Sequence, residues 1–197
     1  MSEDTDAVTE TDRIDLTGKL LIAMPGMSDE RFEHSVVYLC AHSPEGAMGL
    51  IVNKPTEDLR LRDLVDQLDL AGGICLRDRG VYFGGPVEPG RGFVLHSADY
   101  KSEISSLQVD DRFSMTATLD VLEALATGAG PHQALLALGY AGWGPGQLES
   151  EIMANGWLTC DASEALVFAD DDVGKWEAAL KTLGVDALTL SASAGHA

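Results

Sequence analysis

Gly46-Ala47-Met48-Gly49-Leu50-Ile51-Val52-Asn53-Lys54-Pro55 leads from glycine through an apolar stretch into Asn, Lys and Pro, and Phe83-Gly84-Gly85-Pro86 ends a second apolar run in the same manner. Both runs stop at residues that shape backbone. Asn tolerates left-handed conformation, Pro fixes φ and removes a donor, and paired Gly permits close backbone approach, so each segment reads as a strand entering a specified turn. Upstream, Lys19 to Met24 is a short apolar run closed by Pro25-Gly26, and Ser35 to His42 alternates β-branched and aromatic residues before Ser43-Pro44-Glu45-Gly46. Three consecutive strands with loops of this length favour antiparallel neighbours, the second and third forming a hairpin around Ser43 to Gly46.

Downstream, Leu61, Leu64, Val65 and Leu68 recur at helical spacing and predict a helix that ends before Gly72-Gly73. Val81 to Phe83 and Gly92 to His96 read as strands separated by the turn residues Gly84-Gly85-Pro86 and Glu88-Pro89-Gly90. Ile104 to Val109 and Phe113 to Ala117 read as a hairpin around Asp110-Asp111, with Thr118 placed to cap the helix that carries Val121, Leu122 and Leu125. Ala134 to Gly139 reads as a buried helical turn leading into a strand through Tyr140. Leu148 and Ile152 mark a short helix between Gly146 and Gly156, followed by a strand at Trp157 to Cys160. Trp176, Ala179, Leu180 and Leu183 line a final amphipathic helix with Gly184 at C′, and Val185 to Leu190 closes the fold. With no repeat and no internal linker, one α+β domain over residues 16–197 accounts for the chain, behind a polar, acidic tail at 1–15.

The chain has 197 residues, 45% of them apolar and 23% charged, close to globular averages. No run approaches the roughly 18 to 20 consecutive apolar residues of a membrane span, and the acidic N-terminus lacks a signal peptide's basic patch, so the reading is a cytoplasmic protein. Cys40, Cys75 and Cys160 are odd in number and widely spaced, which argues against a disulfide framework or a zinc ribbon. Thirteen basic against 32 acidic residues give a formal charge of −19. The tail holds six acids and one arginine, so the remainder still carries −14. Such a surface opposes approach to a phosphate backbone and disfavours direct nucleic-acid binding.

Reactive motifs are scarce. The five histidines His34, His42, His96, His132 and His196 never fall at metal-binding spacing, and HExxH, GxSxG, GxGxxG and P-loop patterns are absent. His34 and His42, eight residues apart, would stand about 26 Å apart on one strand at ~3.3 Å per residue, too far to share a metal. Asp170-Asp171-Asp172 precedes the last amphipathic helix and reads as capping plus interaction with its dipole. Gly84-Gly85-Pro86 offers backbone N–H groups that suit either a structural turn or an anion cradle, with Lys54 as the nearest cation in style. Trp143, flanked by Gly142 and Gly144, suits core packing and also a pocket wall.

Taken together, Leu21-Ile22-Ala23-Met24-Pro25, Ser35 to Cys40, Gly46 to Pro55, Phe83 to Pro86, Gly92 to His96, Leu138-Gly139-Tyr140-Ala141, Gly146-Gln147-Leu148-Glu149 and Asn155-Gly156-Trp157-Leu158 resemble the YqgE/AlgH family of bacterial UPF0301 proteins. The resemblance covers nearly the whole chain from about Leu16. It implies a single α+β domain with a mainly antiparallel, barrel-like sheet flanked by helices, no established catalytic residues, no cofactor and a cytosolic home. The family is an uncharacterised group whose regulatory label reflects an implied role in alginate control. Where members commonly carry Ser-Arg-Asp and Glu-His-Asn, this chain has Thr118-Leu119-Asp120 and Ala41-His42-Ser43, departures that remove a cation and an acid.

The expected function is therefore non-enzymatic binding or regulation, with no catalytic residue, no cofactor and no metal. The candidate ligand site gathers Asn53, Lys54, Gly84, Gly85 and Pro86, with Trp143 as a wall, and both a small molecule and a protein remain open as partners. Two alternatives come from other classes: a transcriptional regulator acting directly on DNA, and a hydrolase or transferase using His34, His42 or His96. Oligomeric state is not legible.

Overall fold

A computed structural model of the chain describes residues 14–70 and 80–194, the last four as backbone alone. The acidic tail therefore lies largely outside the described residues, as do the Gly72-Gly73 helix stop, Cys75 and His196. The strands are β1 (Lys19–Ala23), β2 (Val36–Ser43), β3 (Gly46–Ile51), β4 (Pro55–Arg60), β5 (Gly80–Phe83), β6 (Val87–Ser97), β7 (Leu107–Gln108), β8 (Phe113–Thr116), β9 (Ala134–Trp143) and β10 (Trp157–Asp161). The helices are α1 (Leu61–Gln67), α2 (Asp120–Thr127), α3 (Gln147–Met153), α4 (Glu164–Val167), α5 (Lys175–Thr182) and α6 (Ala187–Ala194). This is an α+β domain built on a curled, mainly antiparallel half-barrel sheet flanked by helices.

The sheet runs β10-β1-β2-β3-β9-β6-β8-β7. Strand β9 organises it. Along one edge, its C-terminal half pairs with β3 through Ala47↔Trp143 and Gly49↔Ala141, while its N-terminal half takes β5 in parallel through Tyr82↔Ala137 and Phe83↔Leu138. Its other edge pairs with β6. The point where β3 hands over to β5 is the meeting place of the two opening sequence motifs: the Ile51 N–H donates to the Gly84 carbonyl at 2.9 Å, and the Phe83 N–H donates to the Lys54 carbonyl at 2.8 Å.

Residues 134–139 are strand, not the helical turn expected from the sequence. Leu135 and Ala137 face the largest core cluster and Leu136 faces the cluster under α1 and α2, so β9 is buried on both faces and carries no alternation to read. Glu88-Pro89-Gly90 lies inside β6 as a wide irregularity between the Val87↔Tyr140 and Gly92↔Leu138 pairs. Pro55–Arg60, assigned no element from sequence, is a largely exposed strand that pairs with β5 only at its ends, through Pro55↔Tyr82 and Arg60↔Gly80. Thr118 does not cap α2; its hydroxyl donates to the Asp120 carboxylate at 2.5 Å, and Leu119 holds the cap position without a side-chain bond.

The Asp170 to Asp172 run also divides its labour differently. Asp171 accepts the Gly174 N–H at 3.0 Å at the entrance to α5, whereas Asp172 accepts from the buried Lys175 ammonium at 2.9 Å and from the Tyr82 hydroxyl at 2.8 Å. His34 falls outside β2, with φ of 54°, and its ring meets Trp176 edge-on at 4.5 Å.

Candidate ligand-binding cleft

The last residue of β9 is Trp143 and the first of β10 is Trp157, and α3 spans the connection between them. Gln147 is exposed, and Glu151, one helical turn further on, is half-buried beside the core residue Leu148. Glu151 thereby reaches both tryptophans. Its Oε2 accepts the Trp143 indole N–H at 2.6 Å and the Trp157 indole N–H at 3.1 Å, and Gln147 Nε2 approaches Oε1 at 3.5 Å. The indoles sit 5.9 Å apart at 78°, forming a corner, and Phe32 meets Trp157 edge-on at 5.8 Å. Asn155, in left-handed conformation with φ of 59°, reverses the chain after α3, and the Gly156 N–H donates to the Glu151 carbonyl at 2.8 Å.

Opposite this corner runs the loop from Met24 to Phe32, tied on by the Met24 N–H to the Gly156 carbonyl at 3.0 Å. Arg31 and Asp29 form a two-point pair there, with N···O distances of 2.7 to 3.2 Å, and the Arg31 guanidinium holds the Asp29 carboxyl below its ordinary range. Between the two walls lies a cleft of about 540 Å³. That is within the range of small-molecule sites, roughly 300–1,000 Å³.

The candidate residues from sequence divide between this cleft and the strand junction. Pro86 and Trp143 line the cleft, Trp143 by the small part of its ring that core packing leaves exposed. Asn53, Lys54, Gly84 and Gly85 gather instead at the handover from β3 to β5, where their polar groups serve the fold. Asn53 accepts the Val36 N–H at 2.9 Å and donates to the His34 carbonyl at 2.8 Å, closing the turn before β2. The Gly84 N–H donates to the Leu138 carbonyl at 2.8 Å. A Cβ at Gly84 would lie 2.3 Å from the Gly139 carbonyl oxygen, and one at Gly85 would lie 2.1 Å from the Tyr140 carbonyl carbon. The paired glycines are pressed onto β9, leaving no cradle on that side. Partial burial lowers the Lys54 pKa, opposed by the charge of Glu33.

Among the described residues, neither His42 nor His96 presents a free base nitrogen beside an accessible nucleophile. His42 Nδ1 accepts the Leu16 N–H at 3.0 Å, which places its proton on Nε2, donated to Glu149 at 2.6 Å. His96 is fully buried: Nδ1 donates to the Ser97 carbonyl at 2.8 Å, so Nε2 accepts from Thr116, a hydroxyl that is itself 1% exposed. Burial lowers the His96 pKa. Among the described residues, no group of three or more His, Cys, Asp or Glu side chains is placed to hold a metal ion.

Sequence reasoning named Trp143 and missed its partners, Glu151 and Trp157. The available signal was two tryptophans bracketing a short helix that carries an acid three residues after its core leucine.

A curled, mainly antiparallel half-barrel sheet flanked by helices defines an α+β domain of the AlgH type. The family model described as AlgH-like (DUF179) matches residues 20–188, and the chain belongs to that family. It is 62% identical over 185 residues to a UPF0301 protein of Ruegeria pomeroyi and 59% identical over 184 residues to one of Cereibacter sphaeroides, covering 93% of this chain and all of each relative. The solution structure of the AlgH protein from Pseudomonas aeruginosa superposes with a TM-score of 0.75 at 41% identity, covering 96% of this chain and 100% of that one. A crystal structure of protein DIP2367 from Corynebacterium diphtheriae shares the fold, with a TM-score of 0.70 at 22% identity over 88% of this chain and 90% of that one.

Proposed function

We propose that this chain is a non-enzymatic, cytoplasmic binding protein whose ligand is a small molecule held in the cleft between Trp143, Trp157 and the Met24–Phe32 loop. One observation carries the reading: a cleft of about 540 Å³ whose aromatic corner is fixed in place because both indole N–H groups bond to one carboxylate. Both indoles are held in the core, at 7% and 3% exposure, so the wall they anchor loses little ordering entropy on binding. Support for the cytoplasm comes from the two buried free thiols, Cys40 and Cys160, and from the absence, among the described residues, of a helix long and apolar enough to cross a membrane. The sealed His96–Thr116 pair and the fully engaged His42 weigh against hydrolysis. The charge of −19 weighs against DNA.

Ala154 is exposed at the end of α3 and lines the cleft, so Ala154→Trp fills it without disturbing the core. A thermal-shift screen of metabolites on wild type and this variant tests the reading, since a ligand bound to the native state raises its apparent stability. The expected result is at least one compound that raises the Tm of wild type and leaves the variant unmoved. Identical responses of the two proteins across the panel would sink the proposal.

A further inference from the structure

We infer that the ligand of this cleft is an organic cation, an ammonium or guanidinium group carried on an apolar or aromatic body. This rests on the cleft being the binding site, and it names what the site selects.

Three charged side chains line the cleft among the described residues: Asp29, Arg31 and Glu151. Asp29 and Arg31 neutralise one another through their two-point pair. Glu151 has no Lys, Arg or His partner among the described residues. Its neutral donors are two indoles on Oε2 and one long amide contact on Oε1. A carboxylate offers about four acceptor sites over its two oxygens, so Oε1 keeps capacity for a strong donor. The cleft therefore carries one uncompensated negative charge, held rigidly at the base of an aromatic corner.

Each class of ligand meets that arrangement differently. An anion would face Glu151 across a cleft whose one cation is already engaged. A neutral apolar molecule would fill the volume and leave the charge unanswered. An ammonium or guanidinium group on an apolar body satisfies both parts, with a charge-assisted bond to Oε1 and its body against the half-buried Phe32 and the exposed edges of Trp143 and Trp157. The charge of −19 over the whole chain raises the local concentration of cations further.

Three compounds of nearly equal size and opposite charge character test the assignment on the full chain: 2-phenylethylammonium, 2-phenylethanol and 3-phenylpropanoate. Binding is read by quenching of tryptophan fluorescence and by titration calorimetry, on wild type, Glu151→Gln and Ala154→Trp. The expected order in wild type is ammonium at least tenfold tighter than alcohol, with the carboxylate weakest. In Glu151→Gln, whose amide oxygen can still accept the indole donors, the preference for ammonium over alcohol should vanish while the Tm stays near wild type. The wild-type series decides the matter even if that variant folds poorly. If alcohol and ammonium bind wild type equally and Ala154→Trp binds neither, the cleft stands and the cation assignment falls. If no compound binds wild type, the cation assignment falls and the cleft is decided by the metabolite screen; if all bind Ala154→Trp as well as wild type, both fall.

Discussion

Gly84 and Gly85 show how a single missing methyl group can hold a fold together. The atoms that an added Cβ would strike are main-chain atoms of Gly139 and Tyr140, at 2.3 Å and 2.1 Å, and a paired central strand cannot withdraw from them. Gly84→Ala should therefore lower the unfolding free energy by about 3 kcal/mol, the upper end of ordinary overpacking, as read from the urea midpoint. Gly90, in the irregular part of β6, has nothing within 4 Å of its virtual Cβ, so Gly90→Ala should fall within about 0.5 kcal/mol of wild type. Equal costs at the two positions would refute the close-approach account. At this scale the sequence was readable where chemistry is local: the Gly-Gly pair and Asn53-Lys54-Pro55 announce constrained backbone, and both sit at the handover from β3 to β5. The Trp143, Glu151 and Trp157 corner left only a sparse signal, two tryptophans bracketing a short helix, and their contact was not readable. Strands β9 and β10 are separated in the sheet by β3, β2 and β1, four spacings or about 19 Å if the sheet were flat, and only its curl brings the indoles to 5.9 Å.

Among the elements, α5 depends most on polar contacts to the sheet. Its amphipathic spacing already placed Trp176, Ala179 and Leu180 inward, and all three are buried. Lys175, a residue type almost never fully buried unless paired, is 1% exposed, with its ammonium donating to the Val52 carbonyl at 2.8 Å and pairing with Asp172 at 2.9 Å. The Trp176 indole adds a bond to the Ala23 carbonyl at 2.9 Å. These bonds reach carbonyls at the ends of β1 and β3, which gives the helix a fixed position. Lys175→Ala leaves a partly buried carboxylate and a buried carbonyl without their cation, and should cost about 3 kcal/mol. Asp172→Asn should cost less, because Lys175 keeps Val52 and the amide oxygen can still accept. Thermal unfolding of the two variants checks the order, and a Lys175→Ala protein as stable as Asp172→Asn would contradict it. Spacing alone could not have shown this pair, since a lysine three residues after an aspartate reads equally well as an exposed helix entrance.

At the scale of the whole molecule, charge and shape point in one direction. The described residues supply no broad cationic face: of their basic side chains, Lys19, Arg31, Arg91, Arg112 and Lys175 each pair with a carboxylate. A duplex would meet a net charge of −19 with few uncommitted counter-charges. Specific and non-specific DNA binding both draw on release of counterions by cationic side chains, so each needs a broad basic surface, and the described residues supply none. Fluorescence anisotropy with a labelled duplex in about 20 mM salt, where a Debye length exceeds 20 Å and electrostatic attraction is at its strongest, should show no binding at micromolar protein. A complex that forms there and dissolves steeply as salt rises would place the chain among DNA-binding proteins. The same field favours the opposite kind of visitor. Added salt should weaken the ammonium compound in the cleft severalfold while leaving its neutral twin unchanged, because only the former is drawn by charges beyond those it touches.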